Sequence, residues 1–337
     1  MSEVIEPNEE GIKRAAEIIK SGNIVAFPTE TVYGLGANGF DSEAVKKIFE
    51  AKGRPGDNPL ILHIAHKDDF DKIAKSYPSY VKVMMEKFWP GPLSMIVLAN
   101  ESVPKAVTAG LDTVAIRMPS LKLARDFIDA CGVPIAAPSA NISGRPSPTT
   151  FDDVYYDLSK KDVPIIKGDD TEIGLESTVV LCTSYPPIIL RPGKITREEI
   201  AKEVGDCLID MKTKDKPLSP GQKYGHYMAS KPTVLMDIEP NETDEYLDKL
   251  NLNGIYILSE QNRKRDNSIV IGDYEKPEEA SHRYFHALRD ADKMDGDIII
   301  VQAFKKDRIG LALFERMMKS SKPVSYTHLR AHETLRY

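Results

Sequence analysis

Two tripeptides carry the groups best suited to chemistry in this chain: Lys52-Gly53-Arg54 and Ser139-Ala140-Asn141. The first sets a cation on each side of a glycine, in the run Ala-Lys-Gly-Arg-Pro-Gly-Asp-Asn-Pro-Leu. Arginine offers a fork for bidentate phosphate contact and lysine a mobile point charge, so the pair could clamp a triphosphate. The same pair also fits a solvated helix end, where cations favour the dipole. The second tripeptide lies in Ala-Pro-Ser-Ala-Asn-Ile-Ser-Gly-Arg-Pro-Ser-Pro-Thr. There Ser139, Asn141, Ser143 and Ser147 offer donors to phosphate or ribose oxygens, although plain turn chemistry also accounts for the composition. No Gly-x-x-x-x-Gly-Lys-Ser/Thr string occurs, which excludes a P-loop. Gly34-x-Gly36-x-x-Gly39 spells a dinucleotide-like string, but no helix starts within it.

Further candidates stand at strand ends. Pro28-Thr29-Glu30-Thr31-Val32-Tyr33-Gly34-Leu35-Gly36 follows a β run, and polar side chains in that position can line a pocket at a sheet's edge. Its glycines permit close backbone approach to a ligand; a strand–turn with capping threonines is the plainer reading. His63, in Leu-His-Ile, reads as a satisfied core histidine. Arg117 ends a strand that reads as buried, and a buried arginine needs an anion. A substrate carboxylate and a structural Asp or Glu fit that need equally.

The elements that must position these groups follow from periodicity. Helical spacing covers Glu9–Lys20, Tyr80–Phe88 and Leu121–Ala130, with a further helix capped by Ser42 and running to Ala51. Thr196 with Glu199 three residues on forms a capping-box pattern for a helix to Val204. Short β runs occupy Ile24–Phe27, Leu60–Ile64, Leu93–Leu98, Thr113–Arg117, Ser177–Leu181 and Ile188–Leu190, and Pro134–Ala137 leads into the Ser-Ala-Asn loop. From Lys212 to Pro232 the chain loses apolar periodicity and gains Pro and Gly, as a linker does. Beyond it, strands at Thr233–Met236, Gly254–Leu258 and Asp297–Val301 alternate with helices at Glu278–Arg289 and Ile309–Lys319. That alternation predicts a small, largely parallel sheet.

Bulk properties narrow the class. With 337 residues, two domains are expected. Hydrophobic content of 41% and charged content of 28% fit a soluble globular protein, and a net charge of -6 argues against a surface coated in nucleic-acid-binding charge. Three scattered cysteines without a Cys-x-x-Cys pair make a structural zinc site unexpected and fit a reducing, cytoplasmic setting. The acidic start does not read as a signal peptide, and no apolar run approaches the ~20 residues of a membrane span. Residues Ser325 to Thr334, Ser-Tyr-Thr-His-Leu-Arg-Ala-His-Glu-Thr, resemble a translated transposon-type sequencing adapter. Residues 324–337 therefore read as a translated adapter and not as part of a domain, and His328 and His332 as no metal site.

Taken together and in order, these segments resemble the YrdC-like threonylcarbamoyl-AMP synthase family in its long, two-domain form. The Lys-x-Arg and Ser-x-Asn signatures fall at Lys52/Arg54 and Ser139/Asn141. Pro28–Gly36, Trp89–Pro92, Arg117–Pro119 and Glu176–Val179 match further family segments. Ser219-Pro220-Gly221-Gln222-Lys223-Tyr224-Gly225-His226-Tyr227 is similar to the linker that marks the long form. Here Gly225 stands where the family usually has arginine and Gln222 where it has methionine, so one cation over the site is missing.

The resemblance implies an α/β protein: a twisted mixed-sheet YrdC-like domain over 1–205, a Pro/Gly-containing linker or lid over 206–232, and a small Rossmann-like α/β domain over 233–323. It implies a reaction in which L-threonine, bicarbonate and ATP, with Mg2+, give threonylcarbamoyl-AMP and pyrophosphate. Downstream proteins would transfer the threonylcarbamoyl group to the adenosine next to the tRNA anticodon; weak RNA binding and no membrane contact are expected. Lys52, Arg54, Ser139 and Asn141 would form the catalytic signature. Arg54, Asn58, Thr113, Ser139, Ser147, Arg191 and Tyr227 would contact ATP. Thr31, His63, Arg117, Ala137 and Ser177 would hold L-threonine. No protein metal ligands are assigned. Two alternatives differ in class: a non-catalytic RNA-binding protein using the same cleft, and the related module of hydrogenase-maturation carbamoyltransferases, whose zinc-finger cysteines this chain lacks.

Overall fold

The computed structural model describes residues 2–210, 226–250 and 252–321. The chain divides into two compact units, Met1–Ser143 with Ser147–Tyr224, and Gly144–Pro146 with Gly225–Tyr337. The adapter-like tail and the linker core around Gln222, Tyr224 and Gly225 lie outside the described residues.

In the first unit the short apolar runs assemble into one mixed sheet of twelve strands. Across it run Val4–Ile5, Ile165–Ile166, Val25–Phe27, Gly34–Asn38, Ile135–Ala137, Ile61–His63, Thr113–Arg117, Leu93–Ala99, Thr178–Leu181, Ile188–Arg191 and Leu208–Ile209; Ala74–Ser76 pairs with Leu93–Ala99 off this path. Ile61–His63 is parallel to Thr113–Arg117 and antiparallel to Ile135–Ala137, while Thr113–Arg117 is antiparallel to Leu93–Ala99. Leu208–Ile209, expected in the linker, is instead an edge strand pairing with Ile188–Ile189.

Alternation along each strand sorts the faces. Val114, Ile116, Leu62 and Ala136 join a large core with Leu35, Ile48, Met84 and Ile200, so the helices Ser42–Lys52, Tyr80–Phe88 and Arg197–Val204 pack on that side. Phe27, Ile135 and Ala137 point the other way, where Ile19 and Phe127 of the helices Glu9–Lys20 and Lys122–Cys131 cover them. Each large apolar side chain among these, such as Ile19, Phe27 or Phe127, contributes roughly 1.5–3 kcal/mol by leaving water. Arg117 and Ala115 share this second face with Ile61 and His63, because directly paired residues point the same way.

Local signals explain the helix ends. Asn8 accepts from Gly11 N–H at the first helix, and Thr196 with Glu199 closes the anticipated capping box. For Ser42–Lys52 the cap is Asp41, whose carboxylate accepts from the Glu43 and Ala44 amides; Ser42 is the first helical residue. A carboxylate there also favours the helix dipole, an advantage serine lacks.

The second unit holds four parallel strands in the order Thr233–Met236, Ile298–Gln302, Gly254–Leu258, Ser268–Val270, with the helices Pro240–Leu247, Pro277–Lys293 and Ile309–Ser320. The small parallel sheet is as the alternation predicts. At its entry, Asp292 accepts from Ser230 N–H and Oγ–H and from Lys231 N–H, while Lys231 Nζ donates to Asp292 O and Met294 O. Among the described residues no helix is long and apolar enough to cross a membrane.

Candidate active site

The helix Ser42–Lys52 ends on Gly53, whose φ of 63° is the left-handed conformation that glycine adopts without a Cβ penalty. Gly53 N–H donates to Glu50 O and Arg54 N–H to Phe49 O, closing the helix in a Schellman arrangement. This sharp stop separates the two cations. Lys52 turns inward and is buried, whereas Arg54 lies half-buried just beyond the turn. The solvated helix-end reading therefore does not describe Lys52.

Lys52 Nζ donates to the backbone oxygens of Ser139 at 2.5 Å and Asn141 at 2.6 Å, and lies 3.5 Å from Asn141 Oδ1. Ser139 Oγ donates to the same Oδ1 at 2.5 Å, and Asn141 Nδ2 donates to Ile142 O, which fixes the orientation of the amide. The structure thus brings Lys52, Ser139 and Asn141 together. The loop is also stitched to the strand Gly34–Asn38, since Ala140 N–H donates to Tyr33 O and Gly34 bridges Ser139.

A second cluster surrounds Arg117. Its Nη1 donates to Thr31 Oγ1 at 2.9 Å, and its Nη2 lies 2.7 Å from Glu30 Oε1 without a well-aligned hydrogen bond. Burial raises the Glu30 carboxyl, but the Arg117 charge beside it prevails and holds it below the usual carboxylate range. His63 pairs in register with Arg117. Burial, and then the Arg117 charge, push its imidazole down to about 3, so it is neutral at pH 7. Its Nδ1 lies 3.3 Å from Ile135 O, and that contact orients the ring, as the core-histidine reading anticipates. On the other flank Ser94 pairs in register with Arg117, and Ser94 Oγ lies 2.8 Å from Ser177 Oγ. Arg191 donates through Nη2 to Ser177 Oγ and through Nε to Ser177 O. Ser147 Oγ donates to Glu176 Oε1 at 2.6 Å, next to Ser177 in sequence.

Thr113 and Asn58, both expected nucleotide contacts, differ in setting. Thr113 is four residues from Arg117 on the same strand and the same face, about 13 Å away by strand rise. Asn58 is fully buried, and neither its Oδ1 nor its Nδ2 has a hydrogen-bond partner. A buried amide without a protein partner costs stability unless water or a ligand meets it. Ala137 pairs in register with Ile61, between the levels of Arg117 and Thr113. Tyr227 belongs to the second unit, where its ring packs on Phe285 at a centroid distance of 4.8 Å with a φ of 66°. The face thus offers a guanidinium with flanking hydroxyls at one level and polar groups further along it, an arrangement suited to an elongated ligand.

A family model described as Telomere recombination matches residues 17–193, and one described as Threonylcarbamoyl-AMP synthase, C-terminal domain, matches residues 195–321. Among curated relatives, the threonylcarbamoyl-AMP synthase of Pyrococcus abyssi is 42% identical over 92% of this chain and 94% of its own. That of Bacillus subtilis is 40% identical over 95% of this chain and 96% of its own. The chain belongs to the threonylcarbamoyl-AMP synthase family. A crystal structure of Pyrococcus abyssi Sua5 complexed with L-threonine covers 95% of this chain and 97% of its own, with TM-score 0.88 and 40% identity. The structure of Escherichia coli YciO, 22% identical over 57% of this chain and 95% of its own with TM-score 0.50, shares the fold of the first unit.

Within this family site, sequence reasoning passed over Glu30, Ser94 and Glu176, the partners of Arg117, Ser177 and Ser147. Glu30 and Glu176 lay inside quoted motifs, and the requirement that a buried arginine meet an anion was the available signal for Glu30. Ser94 carried none, since a serine in an apolar strand reads as a neutral insertion.

Proposed function

We propose that the chain makes threonylcarbamoyl-AMP and pyrophosphate from L-threonine, bicarbonate and ATP, and that its product serves the tRNA modification next to the anticodon. The cluster of Arg117, Thr31, His63 and Ser177 is the observation that carries this reading, in a chain similar over nearly its whole length to a protein solved with L-threonine. Arg117 would take the threonine carboxylate, Thr31 and Ser177 would order its polar groups, and the Ala137 backbone would border it. The neutral His63 adds no competing positive charge.

The neutral threonine amine attacks the carbon of CO2 and loses a proton, or the carbon of bicarbonate with loss of water, giving a carbamate. A carbamate oxygen then attacks the α-phosphorus as the bond to the bridging oxygen breaks and pyrophosphate leaves. No residue is required to bond covalently to substrate. Rate enhancement would come from holding the carbamate against the α-phosphate and from neutralising phosphate charge with Arg54 and Arg191. Asn58, Thr113, Ser139 and Ser147 would hold the nucleotide. Mg2+ enters this scheme as part of the Mg–ATP substrate. The RNA-binding alternative is not favoured, because the relatives that match most of the chain are named as synthases.

The test is pyrophosphate release from Mg–ATP and bicarbonate with L-threonine, with L-serine and with neither. Release that depends on L-threonine is expected. Release indifferent to it, or none from folded protein, would overturn the reading.

A further inference from the structure

Lys52 is a signature cation that does not face outward as a phosphate ligand would. Its ammonium has three N–H groups, and three oxygens surround it: Ser139 O, Asn141 O and, at longer range, Asn141 Oδ1. Its own backbone oxygen accepts from Ser143 N–H at 3.0 Å. One residue thus grips the loop at both ends of the stretch 139–143, from a side chain only 2% exposed. Lysine suits the task because its ammonium is a compact charge with three rotatable donors.

We infer, taking the synthase reading of the site as given, that Lys52 is a positioning residue. It sets the conformation of the Ser139–Ser143 loop, and the phosphate charge is met by Arg54 and Arg191 instead. Ser139 and Asn141 then present fixed groups to the nucleotide because Lys52 and the Ser139 hydroxyl together hold the Asn141 amide. A lysine that turned its ammonium fully onto phosphate would have to release two short backbone contacts and leave two carbonyls without their donor, so at most the third, weakly engaged N–H is open to a ligand.

The test uses the full chain with its Lys52→Met and Lys52→Gln variants and reads amide hydrogen exchange together with steady-state kinetics. Lys52→Met is expected to speed exchange at Ala140 and Ser143 at least tenfold. It should raise KM for ATP at least tenfold while leaving KM for L-threonine within twofold. Lys52→Gln, a neutral donor, should recover most of the exchange protection and of the ATP KM. Loop exchange unchanged in both variants, with Gln as impaired as Met, would make Lys52 a phosphate ligand and overturn the inference. Should neither variant fold, NMR of the Lys52 ammonium in the unmutated protein decides. Its resonance is expected to hold when a non-hydrolysable ATP analogue saturates the site, and a large shift would overturn the inference. The exchange measurement needs no substrate, so failure of the synthase reading shows separately, as absent threonine-dependent turnover by the parent.

Discussion

Glu30 and Arg117 lie 2.7 Å apart with their side chains only 3% and 4% exposed, and they come from segments far apart in sequence. Each is the other's only ion-pair partner among the described residues, so the pair is balanced as it stands. Breaking such a pair from one side leaves a buried charge, typically costing about 3–5 kcal/mol, whereas replacing both costs far less. Glu30→Gln and Arg117→Met should each lower the unfolding midpoint strongly, and the double variant should regain much of the loss. Midpoints that fall additively would refute the coupling.

Arg117→Met should also raise KM for L-threonine by roughly 30- to 200-fold, the equivalent of about 2–3 kcal/mol for a charged hydrogen-bonded contact. KM for ATP should stay within a few-fold. Unaltered threonine affinity would remove Arg117 from the amino-acid site.

Arg54→Gln should act on turnover instead. Removing a donor from charge that develops in a transition state typically costs ~100-fold or more in kcat. Threonine binding, measured calorimetrically, should be nearly unchanged. A purely threonine-directed effect would contradict the assignment.

Asn58 makes an unusual prediction for a buried polar residue. Its amide has no partner to lose, so Asn58→Ala should shift stability by less than about 1 kcal/mol: the lost packing is offset by relief of a desolvated amide. Nucleotide affinity should nonetheless fall at least tenfold. A large loss of stability with affinity intact would show that the amide serves the fold.

His63 sets a pH dependence. Its folded-state pKa is depressed to about 3 from 6.5, so the unfolded chain binds the proton first. This contribution to stability is full above pH 6.5 and declines as pH falls toward 3, by about 1.4 kcal/mol per unit well inside that window. Glu30 is also depressed from 4.5, so its loss begins only at lower pH. Between pH 6.5 and 5, melting temperature should therefore fall in the parent and fall less in His63→Gln. Parallel slopes would assign the effect to other groups.

Where apolar periodicity or a cap set the local structure, the sequence was legible. The helices Glu9–Lys20 and Tyr80–Phe88 and the strands Thr113–Arg117, Thr233–Met236 and Gly254–Leu258 have the boundaries read from it. Gly34–Asn38 was hidden because its glycines suppress any strand signal. Packing requires them: a Cβ on Gly36 would come within 2.7 Å of Ile135 Cγ2 and 2.9 Å of the Phe27 ring. The helix Phe151–Leu158 was missed because its start, capped by Thr150, follows a Pro/Ser-rich loop. In the site, the residue types were legible and their pairings were not. Which oxygens take the Lys52 protons, and which anion meets Arg117, depend on contacts between segments that a linear pattern cannot align.

The way the site is assembled has a consequence for synthesis of the chain. Thr31, Lys52 and His63 emerge early from the ribosome, but Arg117, the Ser139–Asn141 loop, Ser177 and Arg191 follow only much later. Contacts so distant in sequence form slowly, because long loops must close before any of them is gained. Until Arg117 and the Ser139–Asn141 loop have emerged, the nascent first unit carries the buried-type charges Glu30 and Lys52 without the partners they meet in the folded chain. Binding competence should therefore arrive late and together, and no amino-terminal fragment ending before Ser177 should retain it.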